Sequence, residues 1–193
     1  RLYAKRIIES FEQDRAEGKP FFAYLAYTAP HWPLQAPKES IAKFKGWYDA
    51  GYEALYAQRF ARQKELGLVP ASMQPIDDVR FEPRWNSLKA EAKQIESRKM
   101  EIYAAMVSDL DTYVGEVVAY LKKIGEYDNT LILFSSDNGA EPGRRDLIPP
   151  ISNEIGKAYD HSLDNLGSAT SYVMYGPNWA SAGATPFNRH KFT

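Results

Sequence analysis

The sequence predicts an α/β fold with a largely parallel sheet flanked by helices. Two short runs, Phe21–Tyr27 and Leu131–Phe134, are apolar on both faces with no polar alternation. Such runs read as strands buried in the middle of a sheet. A long amphipathic stretch, residues 87–124, lies between them. Strand, helix, strand in that order is the pattern of crossover units that join parallel strands.

Each element has a local reason. Tyr3, Ile7, Ile8 and Phe11 recur at helical spacing and predict a helix over 2–17, ended by Gly18 and Pro20. The first apolar strand follows. Pro30, Pro33 and Pro37 then prevent regular structure and predict an extended loop. Helices are expected over 38–45 and 50–66, the second stopping at Gly67. Residues 68–86 carry Pro70, Pro75 and Pro83 and read as a long surface loop, an insertion or a lid. In the longest helix, Ile102, Met106, Leu110, Val114, Val117 and Leu121 form one stripe, and Gly125 stands where a C-terminal cap belongs. Glu126–Asn129 make a turn into the second strand. Residues 140–170 read as mostly loop, and Ser171–Tyr175 as a third strand. There is no internal repeat and no domain linker.

Composition narrows the function classes. The chain has 193 residues, 44% apolar and 25% charged, which suits a folded domain or a large piece of one. No apolar run approaches the roughly 20 residues of a membrane span. The balance of 24 Lys+Arg against 25 Asp+Glu, with no basic stripe, argues against nucleic acid as a partner. The absence of cysteine excludes disulfides, a cysteine nucleophile and thiolate metal sites. It leaves the compartment open. Helical periodicity begins almost at Arg1 without a capping residue, and Arg189–Thr193 bring no stop signal. The expectation is an internal portion of a longer protein, cut at both ends.

Two strands run straight into polar loops, where sites of open α/β sheets lie. The first delivers Thr28-Ala29-Pro30-His31-Trp32-Pro33, whose prolines restrict the backbone on either side of His31. The second delivers Asp137-Asn138-Gly139. A carboxylate beside an amide offers hard oxygen donors suited to Ca²⁺ or Mg²⁺. Asn-Gly is also a strong turn dipeptide, and a plain turn accounts for this spacing more simply. A lone histidine such as His31 is, by itself, more often structural than catalytic.

In combination these segments carry more. Lys19–Pro37, with an apolar strand, a histidine and flanking prolines, closely resembles the sulfatase family. Asp128–Gly139 is similar to another signature of that family. So is Tyr175-Gly176-Pro177-Asn178-Trp179-Ala180, followed by Thr185-Pro186 and Lys191. Gly46–Pro70, with Tyr-Asp-x-Gly at Tyr48–Gly51, resembles the segment between the first two. The matches keep their order along the whole chain and point most nearly to bacterial arylsulfatases, within the alkaline-phosphatase-like superfamily.

The resemblance implies an alkaline-phosphatase-like fold and hydrolysis of sulfate esters by a formylglycine nucleophile with a bound Ca²⁺, Mg²⁺ being second choice. The substrate would be a small sulfate ester or a sulfated sugar. The family's Asp-Asn metal ligands match Asp137 and Asn138, its sulfate-contacting histidine matches His31, and its late lysine matches Lys191. Asn188 stands where many relatives have arginine. The formylglycine motif, Cys/Ser-x-Pro-x-Arg, has no counterpart here. Ala140-Glu141-Pro142-Gly143-Arg144 has a similar outline, but alanine cannot be converted, and it is read as chance. The nucleophile and two further aspartates are therefore expected upstream of this stretch. Rival readings are a phosphonate monoester or phosphodiester hydrolase of the same superfamily, and a non-catalytic homologue that binds sulfated glycans.

Other candidates have bland explanations. Asp77-Asp78 reads as a solvated loop pair. Asp109 and Asp111 do not share a helix face, and a cap or buried hydrogen bond is expected of Asp111. His161 and His190 are assigned to the surface. Arg59, Arg62 and Lys64 read as a solvated helix face. Trp32, Trp47, Trp85 and Trp179 read as packing residues, with Trp32 and Trp179 close enough to the site loops to line an aryl pocket.

Overall fold

The structure is a computed structural model. It describes all residues except 17, 77–80, 145–150, 188 and 192–193, and only the backbone of Ile151. In chain order its helices are α1 (Leu2–Ala16), α2 (Lys38–Ala42), α3 (Tyr52–Glu65), α4 (Ala90–Lys123), α5 (Ile151–Ala158) and α6 (Gly176–Gly183). Single 3₁₀ turns occupy Trp85–Ser87 and Tyr127–Asn129.

Helix α4 organises the molecule. Its 34 residues make it about 51 Å long at 1.5 Å per residue. Gly125, at φ 78°, ends it in a Schellman cap. The Glu126 N–H bonds the Leu121 carbonyl at 3.0 Å and the Gly125 N–H bonds the Lys122 carbonyl at 3.2 Å. The positive φ explains why glycine stands there. Both α1 and α2 pack on α4, while α6 packs on α3. Ile102, Met106 and Leu121 of the expected stripe are buried, and Leu110, Val114 and Val117 are half-buried.

The main core joins Leu34, Ile41, Ile102, Met106, Leu166 and Val173 to an aromatic group. Tyr52, Trp85 and Trp179 meet edge-to-face, with ring centroids 5.4–5.8 Å apart. A smaller core, Phe11 with Tyr120 and Leu121, ties α1 to the end of α4, and Phe21 packs against it. Two charged residues are buried in α4. Lys99 is paired with Glu96 at 2.6 Å, and Glu101 pairs with Arg98 at 3.1 Å.

The strands differ from expectation. No strand forms among the described residues. Ser171–Tyr175 is irregular and buried except at half-buried Tyr172, and the Leu34 N–H bonds the Val173 carbonyl at 2.9 Å. Phe21–Tyr27 and Leu131–Phe134 are not buried central strands here. Phe22 is 96% exposed and Tyr24 84%, while Leu131, Leu133 and Phe134 are 85%, 86% and 76% exposed. Residues 20–27 and 131–136 make no backbone–backbone hydrogen bond among the described residues. A strand is stabilised by its neighbours, and none pairs with these two among the described residues. Within the stretch read as loop, α5 forms instead. Helix α6 begins on Gly176-Pro177, with proline in its first turn where the missing N–H costs nothing.

Candidate functional site

The 171–175 segment is the spine on which the site loops hang. On one side, the Gln35 side-chain amide donates to the Ser171 carbonyl at 2.9 Å, beside the Leu34–Val173 bond. These bonds anchor the loop that carries His31. Its cis peptides precede Pro30 and Pro33. The His31 N–H bonds the Thr28 carbonyl at 3.0 Å. The imidazole is exposed, with Nδ1 2.6 Å from the Trp32 carbonyl oxygen. A carbonyl only accepts, so Nδ1 carries a proton and Nε2 is left for proton exchange. The Trp32 ring lies 4.6 Å from the imidazole and 5.9 Å from the Tyr172 ring, centroid to centroid.

On the other side, buried Tyr175 holds the loop after Leu131–Phe134. Its hydroxyl accepts the Glu141 N–H at 3.0 Å. Burial, aided by the neighbouring Tyr103, pushes the Tyr175 phenol well above its usual range, so it stays neutral and keeps this role at ordinary pH. Upstream in the loop, Asp137 and Asn138 are both exposed. The Ser136 hydroxyl bonds the Asn138 carbonyl at 2.6 Å. The Asn138 amide nitrogen donates to the Gly139 carbonyl at 2.9 Å, and its Oδ1 makes no hydrogen bond among the described residues. Asp137 makes no ion pair or hydrogen bond among them either.

Lys191 joins this loop. Its N–H bonds the Ala140 carbonyl at 2.8 Å, and its Nζ lies 3.2 Å from Glu141 Oε2. A Cβ on Gly139 would stand 3.7 Å from the Lys191 nitrogen. Lys191 is therefore held against Gly139–Glu141, the part of the loop that follows Asp137-Asn138. Among the described residues, no hydrogen bond or ion pair links His31 to Asp137, Asn138 or Lys191.

Asp137 and Asn138 fit a hard cation by donor chemistry, one carboxylate and one amide oxygen. They do not complete a site. Calcium takes about six to eight oxygens, and no group of three or more His, Cys, Asp or Glu able to hold a metal occurs among the described residues.

The remaining candidates sort out clearly. Trp179 is 1% exposed and Trp85 5%, so both are core, and the aryl-pocket reading of Trp179 is corrected. Trp47 is exposed and Trp32 half-buried beside His31. His161 is exposed, with Nε2 2.9 Å from the Tyr172 carbonyl; His190 is half-buried. Asp109, not Asp111, takes a partly buried hydrogen bond, from the Ser40 hydroxyl at 2.9 Å, while Asp111 is exposed. Arg62 pairs with Glu65 in solvent, but Arg59 reaches the Gly183 carbonyl at 3.3 Å and links α3 to α6. Asp77, Asp78 and Asn188 lie outside the described residues. Glu141 and Tyr175 were missed. Glu141 stood in a pentapeptide read as chance, and nothing local marks a glutamate whose partner is 50 positions away.

No helix among the described residues is long and apolar enough to cross a membrane. Comparison with known proteins places the molecule. The sulfatase family model matches residues 1–189. An uncharacterized sulfatase of Schizosaccharomyces pombe is 45% identical over 187 residues, covering 95% of this chain and 33% of that protein. The arylsulfatase of Klebsiella aerogenes is 39% identical over 192 residues, covering 99% of this chain and 41% of its own length. Human iduronate 2-sulfatase is 27% identical over 146 residues, 70% of this chain and 24% of that protein. The chain thus spans a third to two-fifths of the first two relatives. A match that runs through the His31 loop, the Asp137 loop and on to Arg189 shows that this chain belongs to the sulfatase family.

Proposed function

We propose that residues 1–193 are the central-to-late part of the catalytic domain of an arylsulfatase-type sulfuric-ester hydrolase. His31, Lys191, Asp137 and Asn138 are its share of the active site. The family implies sulfate esters as substrates and an alkaline-phosphatase-like α/β fold. The observation that carries the site reading is the 2.8 Å bond from the Lys191 N–H to the Ala140 carbonyl. It seats the Lys191 backbone on the same loop at Ala140, two residues after Asn138, with the Lys191 ammonium 3.2 Å from Glu141 Oε2.

Each residue has a distinct task. Asp137 and Asn138 would hold Ca²⁺, which when bound offsets the sulfate charge and acts as a Lewis acid. The Lys191 ammonium attracts the sulfuryl oxygens and stabilises the charge they carry in the transition state. At His31, the Trp32 carbonyl occupies Nδ1–H. The protonated ring therefore donates from Nε2, to a sulfate oxygen or to the departing ester oxygen. The Trp32 ring beside the imidazole, with Tyr172 against it, supplies an aromatic wall suited to an aryl or sugar ring. The formylglycine nucleophile and the other metal ligands lie outside this stretch, so residues 1–193 alone do not turn over sulfate esters.

The exposed runs Phe21–Tyr27 and Leu131–Phe134 are, in this reading, strands of a largely parallel sheet completed by chain outside residues 1–193. Their exposed apolar side chains and unpaired backbone support it.

The test uses the full-length protein. It should hydrolyse a chromogenic aryl sulfate, and Asp137→Ala should lower its calcium affinity by at least about tenfold, since each ligand charge tunes affinity. Calorimetry showing unchanged calcium binding in Asp137→Ala would refute the metal assignment.

A further inference from the structure

We propose that Glu141 is a positioning residue that fixes the Lys191 ammonium for reaction. This rests on the catalytic reading of Lys191. A lysine side chain has four rotatable bonds and a single charged end, so its place is set by what holds that end. Here the holder is itself held. The Glu141 N–H bonds the hydroxyl of buried Tyr175 at 3.0 Å. Its Oε1 accepts the Gly143 N–H at 2.9 Å. Its Oε2 faces Lys191 Nζ at 3.2 Å.

The setting is unlike the protein's surface ion pairs. The Glu141 side chain is 15% exposed and that of Lys191 26%, against 63% and 64% for Glu65 and Arg62. Partial burial removes the solvent screening that makes surface pairs weak. The carboxylate also fills its niche. A Cβ on Gly143 would come within 2.6 Å of Glu141 Oε1 and 3.1 Å of the Met174 methyl.

A carboxylate beside an anion-binding lysine works against sulfate affinity by like charge. Its benefit must then lie in orientation, which acts on turnover rather than on binding. This gives a distinguishable signature. Glu141→Gln keeps the shape and an acceptor for Gly143 but removes the charge. In the full-length protein on a chromogenic aryl sulfate, it should lower kcat by about tenfold, since misplacement of about 1 Å can cost up to about 100-fold. KM should stay unchanged or fall. In a Lys191→Met background the same substitution should change kcat less than about twofold, because coupled residues are not additive. Gly143→Ala, which crowds the carboxylate without removing its charge, should reproduce the loss if Glu141→Gln does not fold. An equal kcat loss in both backgrounds would make Glu141 merely structural and overturn the proposal, as would normal kcat in Glu141→Gln. If Lys191→Met itself keeps full turnover, the reading of Lys191 fails and this proposal fails with it.

Discussion

Replacing Gly51 by alanine should destabilise the protein more than any ordinary surface change. Gly51 precedes α3 at φ 88° and ψ −179°, a region that only glycine occupies readily. Holding another residue there costs about 1–3 kcal/mol. The space is also taken. A Cβ at Gly51 would lie 2.2 Å from Cγ of Trp85, whose ring packs against Tyr52 and Trp179. The ring is held in place, because its Nε1–H donates to the Asp49 carbonyl at 3.1 Å. Overpacking a fixed core group adds about 1–3 kcal/mol. The two effects act together, and the expected loss is about 2–6 kcal/mol. Urea unfolding followed by the fluorescence of buried Trp85 and Trp179 reads it as a lower midpoint at unchanged slope. Gly115 within α4 is the control, since a Cβ there meets nothing within 4 Å. Gly115→Ala should stabilise by up to about 1 kcal/mol through helix propensity. A Gly51→Ala loss below about 1 kcal/mol would refute the close-packing account.

Three further outcomes are expected. Burial, with Glu53 adding, pushes the Tyr52 phenol up to about 12 from its ordinary 10.0. Its contribution to stability is therefore intact below pH 10 and is lost as pH rises toward 12. Alkaline unfolding of Tyr52→Phe should have a shallower pH dependence in that window, and an identical one would contradict the assignment. His31→Ala in the full-length protein should lower kcat by about 10²–10⁴ as loss of a proton-transfer group, with little change in thermal midpoint because the ring is exposed; turnover within twofold of the parent would remove His31 from the mechanism. Amides of residues 21–27 and 131–134 should exchange rapidly in residues 1–193 alone and slowly in the full-length protein. Rapid exchange in both would argue against their place in a sheet.

Much of this was legible in the residues themselves. Helices α1, α3 and α4 follow from local periodicity, and Gly125 ends α4 because its own backbone freedom suits the cap. The loops at His31 and Asp137-Asn138-Gly139 stand out as candidates because each joins an apolar run to a short polar motif, information carried by neighbours in sequence. The Tyr48–Gly51 motif was visible too, but its purpose was not. It seats Trp85 and Trp179, with Tyr48 edge-on to Trp179 and the Asp49 carbonyl accepting from Trp85.

What depended on distant partners could not be read locally. Phe21–Tyr27 and Leu131–Phe134 have the composition of strands, yet strand pairing is a bond between segments, and their described surroundings hold none. Trp179 could equally have lined a pocket; only the packing of α6 against α3 put it in the core. By itself the sequence determined helices α1, α3 and α4 and the Gly125 cap, because those rest on interactions within a few residues. Tertiary structure alone decided that Glu141 meets Lys191 and that Tyr175 steadies them, because ion pairs and buried hydrogen bonds depend on distance in space, whatever the separation along the chain.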